Sequence, residues 1–225
     1  MWAGVSVVVL ETVLLGLALL PVVAFIHWQS TWSVSLWVRL VLDSIAFVPI
    51  YLTFAISLMW YSALATRLLG WRTPDGIDVC LTDFSWPVLD WGRYLMTIHV
   101  VRVFAGPAFR ATPFWSFYMR LNGARVGRMV WVNSLSLMDH NLLEFGDGVV
   151  IGSDAHISGH IVERGMLKTA RVCLGPGTVI GIGSVVGIGV RTGERTQVGP
   201  LSVVPKFTEL EADAGYSGVP VQRIH

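Results

Sequence analysis

Apolar residues return at every sixth position through the last third of this chain. Leu174, Ile180, Val186, Val198 and Val204 each open a block, with Thr192 the one polar opener. Glycine stands next to the opener at Gly175, Gly181, Gly187, Gly193 and Gly199. A small or β-branched residue follows four places after it, at Thr178, Ser184, Val190, Thr196 and Ser202. A strand alternates with period two and a helix with 3.6, so neither keeps glycine in phase every six residues. A hexapeptide period predicts a parallel β-helix. The same phase runs upstream through Phe145, Ile151 and Ile157, and through Val126 and Val132, with Met138 opening a seven-residue block. These blocks predict a triangular prism with three short sides and about eighteen residues per coil. Openers point inward and stack at the ~4.8 Å strand spacing, and glycine supplies backbone freedom at the corners. The beat fails from Val162 to Cys173, which predicts a loop leaving the prism, where function tends to be placed.

The first seventy residues carry a different pattern. No Lys, Arg, Asp or Glu occurs from Thr12 to Val38, and a second apolar run spans Ser44 to Ala65. Each exceeds one crossing of a ~30 Å hydrocarbon core. The reading is a helical hairpin over residues 1–69, with helices at about Val5 to Ile26 and Ser35 to Trp60 and a turn at His27 to Ser33. Trp28, Trp32 and Trp37 would sit at one interface and Trp60, Tyr61 and Trp71 at the other. A cleaved signal peptide does not fit, since there is no basic n-region and Glu11 lies within the run. Arg39 and Asp43 are spaced to neutralise each other on one helix face. Basic residues begin at Arg39 and collect after the second helix, at Arg67, Arg72, Arg93 and Arg102. Both termini and the prism are therefore expected on the cytoplasmic side of an integral membrane protein.

Residues 70–121 read as a connector. Trp71 to Phe84 has turn chemistry in Thr73-Pro74-Asp75-Gly76 and predicts a loop. Ser85 is placed to cap a helix over Trp86 to Phe104, with Val88, Trp91, Leu95, Ile98 and Val101 on one face. That helix either lies in the membrane interface or packs on the prism. Thr112 and Pro113 start a short helix that covers the exposed strand edges at the prism end. The repeat domain then occupies residues 122–225.

Composition agrees: 53% of residues are hydrophobic and only 14% charged, far from an ordinary soluble domain. Cys80 and Cys173 form no disulfide framework. A net charge of +1 without a basic tract argues against nucleic acid as a partner.

The acid–base candidates are His140, His156 and His160, with Asp139, Asp154, Glu163 and Lys168 nearby. An imidazole titrates near neutrality and suits a general base. His160 lies just before the interruption. Counting from Met138 and Ile157 as openers sets His140 within a strand spacing of Gly159-His160, while His156 points elsewhere around the prism. Glu163 is placed to orient an imidazole or bind an amine.

Three runs carry a family resemblance: TPFWSFYMRLNGARVG, FGDGVVIGSDAHISGHIVERG and GPGTVIGIGSVVGIG. From Arg110 to Ile224 the chain resembles hexapeptide-repeat, left-handed β-helix acyltransferases, most of all the C-terminal transferase modules of epsilon-poly-lysine-synthetase-type non-ribosomal peptide synthetases. The resemblance implies a membrane hairpin followed by an all-β domain, a single-stranded left-handed parallel β-helix with short capping helices. It also implies acyl or aminoacyl transfer from a thioester to an amine or hydroxyl acceptor, with His160 as base, His140 assisting and Glu163 orienting. The donor would be coenzyme A or a carrier's phosphopantetheine, met by Lys168, Lys206 and the backbone at Gly181. Backbone amides of the glycine-rich corners would hold the thioester oxygen, and no metal is expected. Relatives form homotrimers, or pair tandem modules, to complete the site. A noncatalytic scaffold or assembly subunit is the alternative. Zinc held by the histidines, as in carbonic anhydrases of this fold, is a second alternative.

Overall fold

The computed structural model describes residues 2–225. Helix α1 (Trp2–Ser30) and helix α2 (Leu36–Leu68) form an antiparallel hairpin, and both are long and apolar enough to cross a membrane. The helices extend past the expected ends, and the turn shrinks to the residues between Ser30 and Leu36. Arg39 and Asp43 do not pair. Gln29 donates its side-chain amide to Asp43 at 2.6 Å, and Arg39 donates to the Trp32 carbonyl at 2.9 Å. Each charge thus closes the turn through a polar partner on the first helix or the turn, which a helix-face spacing cannot reveal.

At 33 residues α2 is about 50 Å long. Its outer part presents exposed Trp37, Ile45 and Phe47, whereas Ala55, Leu58, Met59, Ser62 and Thr66 are buried. The buried end docks on α3 (Trp86–Phe104) and α5 (Pro113–Leu121), with the one-turn α4 (Gly106–Phe109) between them. Ser62 and Tyr118 share a hydrogen bond at 3.1 Å, Thr66 donates to Asn122 at 3.1 Å, and Arg67 donates to the Leu121 carbonyl at 2.7 Å. Helix α3 has the expected bounds but buries Tyr94, Thr97, Ile98 and Val101 within the protein. Thr112 precedes α5 without capping it, because its hydroxyl donates to Phe109 O at 2.6 Å.

Beyond α5 the chain winds into three sheets whose coil strands run parallel, with Gln222–Arg223 added antiparallel at the C-terminal edge of the first. One carries Trp131–Val132, Val150–Ile151, Val179–Ile180, Gln197–Val198 and Gly215–Ser217. The second carries His156–Ile157, Val185–Val186 and Val203–Val204. The third carries Arg125–Val126, Leu143–Phe145, Val172–Leu174, Arg191–Thr192 and Glu209–Leu210. Ile180 lies beside Val198 and Val186 beside Val204, so one coil is 18 residues. Where the beat fails, Ile151 lies beside Ile180, a coil of 29. The extra residues include an antiparallel hairpin, His160–Glu163 with Met166–Thr169. Asp78–Cys80 joins it as a third strand, so the expected connector loop and the expected excursion form one small sheet.

Ile151, Ile180, Val198, Ile157, Val186, Val204, Phe145 and Leu174 fill the prism core. The polar opener Thr192 is satisfied there, its hydroxyl 2.8 Å from that of Thr178 and accepting from Gly175 N at 3.0 Å. Glycine beside the opener has a different cause from the one expected. A Cβ at Gly181 would lie 2.5 Å from Pro200 N in the next coil, so the constraint is close approach. The left-handed corners fall two places later, at Gly183 (φ +64°) and at non-glycine Arg195 and Leu201. Gly181→Ala should therefore lower stability by about 1–3 kcal/mol by overpacking. Denaturant unfolding of the full chain in detergent measures this, and an unchanged midpoint would refute the close-approach account.

Candidate functional site

The interruption begins at His160, and the first consequence is local. Leu137, not Met138, is the buried inward residue of its block and bridges to Ile157. Two places on, Asp139 therefore faces Gly159, and a Cβ at Gly159 would meet Leu142 at 2.8 Å and Asp139 at 3.0 Å. The expected phase was one residue late. Asp139, rather than His140, stands beside His160.

Asp139 is fully buried and holds a left-handed backbone (φ 56°). Its Oδ2 lies 2.5 Å from His160 Nδ1 and accepts from Gly159 N at 3.1 Å and Ser158 Oγ at 3.4 Å. Its Oδ1 accepts from Thr73 Oγ1 at 2.6 Å. Thr73 is in turn clamped by Asn141, whose amide donates to Thr73 O at 2.8 Å and whose Oδ1 accepts from Thr73 N at 3.2 Å. A carboxylate facing Nδ1 favours the tautomer with the proton on Nδ1, and in that neutral tautomer Nε2 carries the lone pair. The imidazole is partly exposed, and Trp91 from α3 packs edge-on against it with ring centroids 5.0 Å apart. This is a base-and-orienter geometry.

His140 is elsewhere. It is fully buried between Trp115 and Tyr118, at centroid distances of 6.1 and 6.0 Å. Burial pushes its pKa down to about 4, overriding the raising effect of Asp139. It is a fully buried core side chain. His156, expected to point away, is close enough to His160 for charge to be felt: its pKa is lowered by burial first, then by His160 and Arg102.

Glu163 does not contact His160. It receives Lys206 Nζ at 2.6 Å on both oxygens and lies 3.3 Å from Lys168, which also approaches Asp78 at 3.5 Å. The Lys206 hydrogen bond, then that of Lys168, holds its carboxyl below the usual range. The cluster ties the small hairpin to the prism, and both lysines are already paired. Gly181 N donates to Val198 O at 2.8 Å and Gly187 N to Val204 O at 3.0 Å. Those two amides belong to the coil ladder and are not free for a thioester oxygen. Among the described residues no group of three or more His, Cys, Asp or Glu is placed to hold a metal.

Asp139 and Trp91 are the site residues that the repeat count missed. Taking Leu137 as the opener would have found Asp139. Only the docking of α3 brings Trp91 in.

A curated delta-poly-L-ornithine synthetase of Acinetobacter baumannii is 24% identical over 111 residues, which is 49% of this chain and 8% of that protein. The chain thus spans a small fraction of that relative. A maltose O-acetyltransferase from Clostridium difficile matches with 16% identity and TM-score 0.48, over 66% of this chain and 91% of that one. A hexapeptide-repeat acetyltransferase of Vibrio cholerae, solved with acetyl coenzyme A, matches with 17% identity and TM-score 0.42, over 49% and 74%. No protein-family profile matches the chain.

Unfolded, the His140 imidazole titrates near 6.5, while folded it resists protonation down to about 4. Between these values the unfolded chain binds the extra proton, so stability is lost as pH falls through that window, by at most about 3 kcal/mol. His140→Phe should flatten this slope when unfolding midpoints at pH 7 and 4.5 are compared. An unchanged slope would assign the proton to another group.

Proposed function

We propose that this chain is a membrane-anchored acyltransferase that moves an acyl or aminoacyl group from a thioester to an amine or hydroxyl acceptor. The observation that carries the reading is the Asp139–His160 pair at 2.5 Å, buried on the carboxylate side and open on the imidazole side. The similarity to a poly-amino-acid synthetase over 49% of the chain supports the reaction class, and amide formation is the favoured form. The coil is taken as left-handed, as the hexapeptide resemblance implies.

In the proposed reaction His160 Nε2 removes the proton from the acceptor N–H or O–H as the acceptor lone pair attacks the thioester carbonyl carbon. Asp139 stabilises the imidazolium through Nδ1–H. When the tetrahedral intermediate collapses, the carbon–sulfur bond breaks, and the proton on Nε2 leaves with the thiolate. The acceptor gains an amide or ester, and the donor, coenzyme A or a phosphopantetheine thiol, is released. His140 and Glu163 drop out of this scheme. The first is sealed in the core and the second is held by two lysines.

A second prism is proposed as the opposite wall of the site, from a trimer or a tandem module. The sheet that carries His156 keeps its outward Val185 exposed in register with it, which supports such a neighbour. The two apolar helices, with basic residues beyond the second, support a prism at the cytoplasmic membrane face.

His160→Ala should abolish thioester-dependent product, read by mass spectrometry with candidate amines and alcohols. Asp139→Asn should lower the rate about a hundredfold or more, by misplacing the Nδ1 proton. Glu163→Gln should keep most activity. Full transfer by His160→Ala would overturn the assignment.

A further inference from the structure

Below the last turn of α2 opens a cleft of about 1020 Å³, separate from His160. Its floor and walls are the segment Gly70–Asp75, the end of α5 and the edge of the prism. Four arginines line it: Arg67, Arg72, Arg125 and Arg171. We propose that this cleft binds a phosphate-bearing anion.

Charge is the first argument. Arg171 pairs with Asp75 at 3.0 Å and with Glu144 at 2.9 Å, and Arg125 shares that same glutamate at 2.9 Å. Asp90 on the wall faces Arg93 at 3.8 Å, and the Arg93 guanidinium lies over Trp71, 5.6 Å from the ring centroid. Five guanidiniums thus meet three carboxylates. The surplus resides on two residues. Arg72 is exposed and has no hydrogen-bond or ion-pair partner among the described residues. Arg67 is engaged only through Nε, on Leu121 O. Planar guanidinium forks are suited to phosphate oxygens. The carbonyl end of α2 opposes an anion with about half a charge, less than this surplus of about two.

Placement is the second argument. Leu68 and Leu69, 76% and 54% exposed, flank the cleft where the apolar helix ends. Basic groups just beyond a membrane helix, beside apolar ones, match the headgroup level of an anionic phospholipid. A soluble phosphate, such as that of the acyl donor, shares the chemistry. The site also touches the proposed catalytic machinery, because Thr73 in its wall donates to Asp139.

Binding can be measured without turnover, so its failure would leave the transfer reading standing. The full chain in neutral detergent is titrated calorimetrically with phosphatidylglycerol, phosphatidylcholine and inorganic pyrophosphate. We expect phosphatidylglycerol to bind in preference to phosphatidylcholine, and Arg72→Ala to weaken it about fivefold, the worth of one arginine at an anionic surface. Arg128→Ala, at an exposed turn of the prism where it pairs with Asp147 outside the cleft lining, should leave binding unchanged. Binding of pyrophosphate that depends on Arg72 would uphold the phosphate site and assign a soluble source. No Arg72-dependent binding of either anion, or equal losses in Arg72→Ala and Arg128→Ala, would overturn the proposal.

Discussion

Coils of this prism lie so close that where glycine follows an inward apolar side chain, as at Gly152, Gly175, Gly181 and Gly187, there is no room for a Cβ. At Gly181 that atom would sit 2.5 Å from the Pro200 nitrogen, and at Gly175 2.5 Å from the Gly193 carbonyl oxygen. The ladder that enforces this approach also takes up the amides of Gly175, Gly181 and Gly187, so these three are not free for a thioester oxygen. The candidate site lies instead where the ladder is broken. Between Ile157 and Leu174 the chain leaves the prism, and the hairpin that results carries His160 at its first position.

Three remote segments converge on that histidine. The preceding coil contributes Asp139, the connector contributes Thr73, and α3 contributes Trp91. Asp139 collects hydrogen bonds from three residues besides His160 and is sealed from water, so its carboxylate has a single orientation. A buried carboxylate held this way can fix a tautomer, which a solvated one cannot do as well. Glu163 shows the contrast. It is partly exposed and drawn to Lys168 on the neighbouring strand and Lys206 in a prism turn, and its charge serves to hold the hairpin down.

The hairpin helices are part of the same construction. Small and polar residues on the inner face of α2 let it seat on α5, where Ser62 and Thr66 find Tyr118 and Asn122. The remaining faces stay apolar and exposed. The docking leaves Arg67 and Arg72 at a cleft whose wall also supports Asp139.

Much of this was legible from residue order. A six-residue period needs only inward stacking of Ile151, Ile180 and Val198, and an apolar run without charge needs only length, so both follow from local pattern. The excursion after His160 was visible as a lost beat. Register at a single irregular block was not, because Leu137 and Met138 are both apolar and only burial decides which one points inward. That choice moved the partner of His160 from His140 to Asp139. Contacts between distant segments were likewise beyond the pattern: Asp78–Cys80 pairing with Met166–Thr169, Thr73 on Asp139, Trp91 on His160. Periodicity reports which side chains face a core, whereas these contacts depend on how independent pieces pack, and only the tertiary structure decides that.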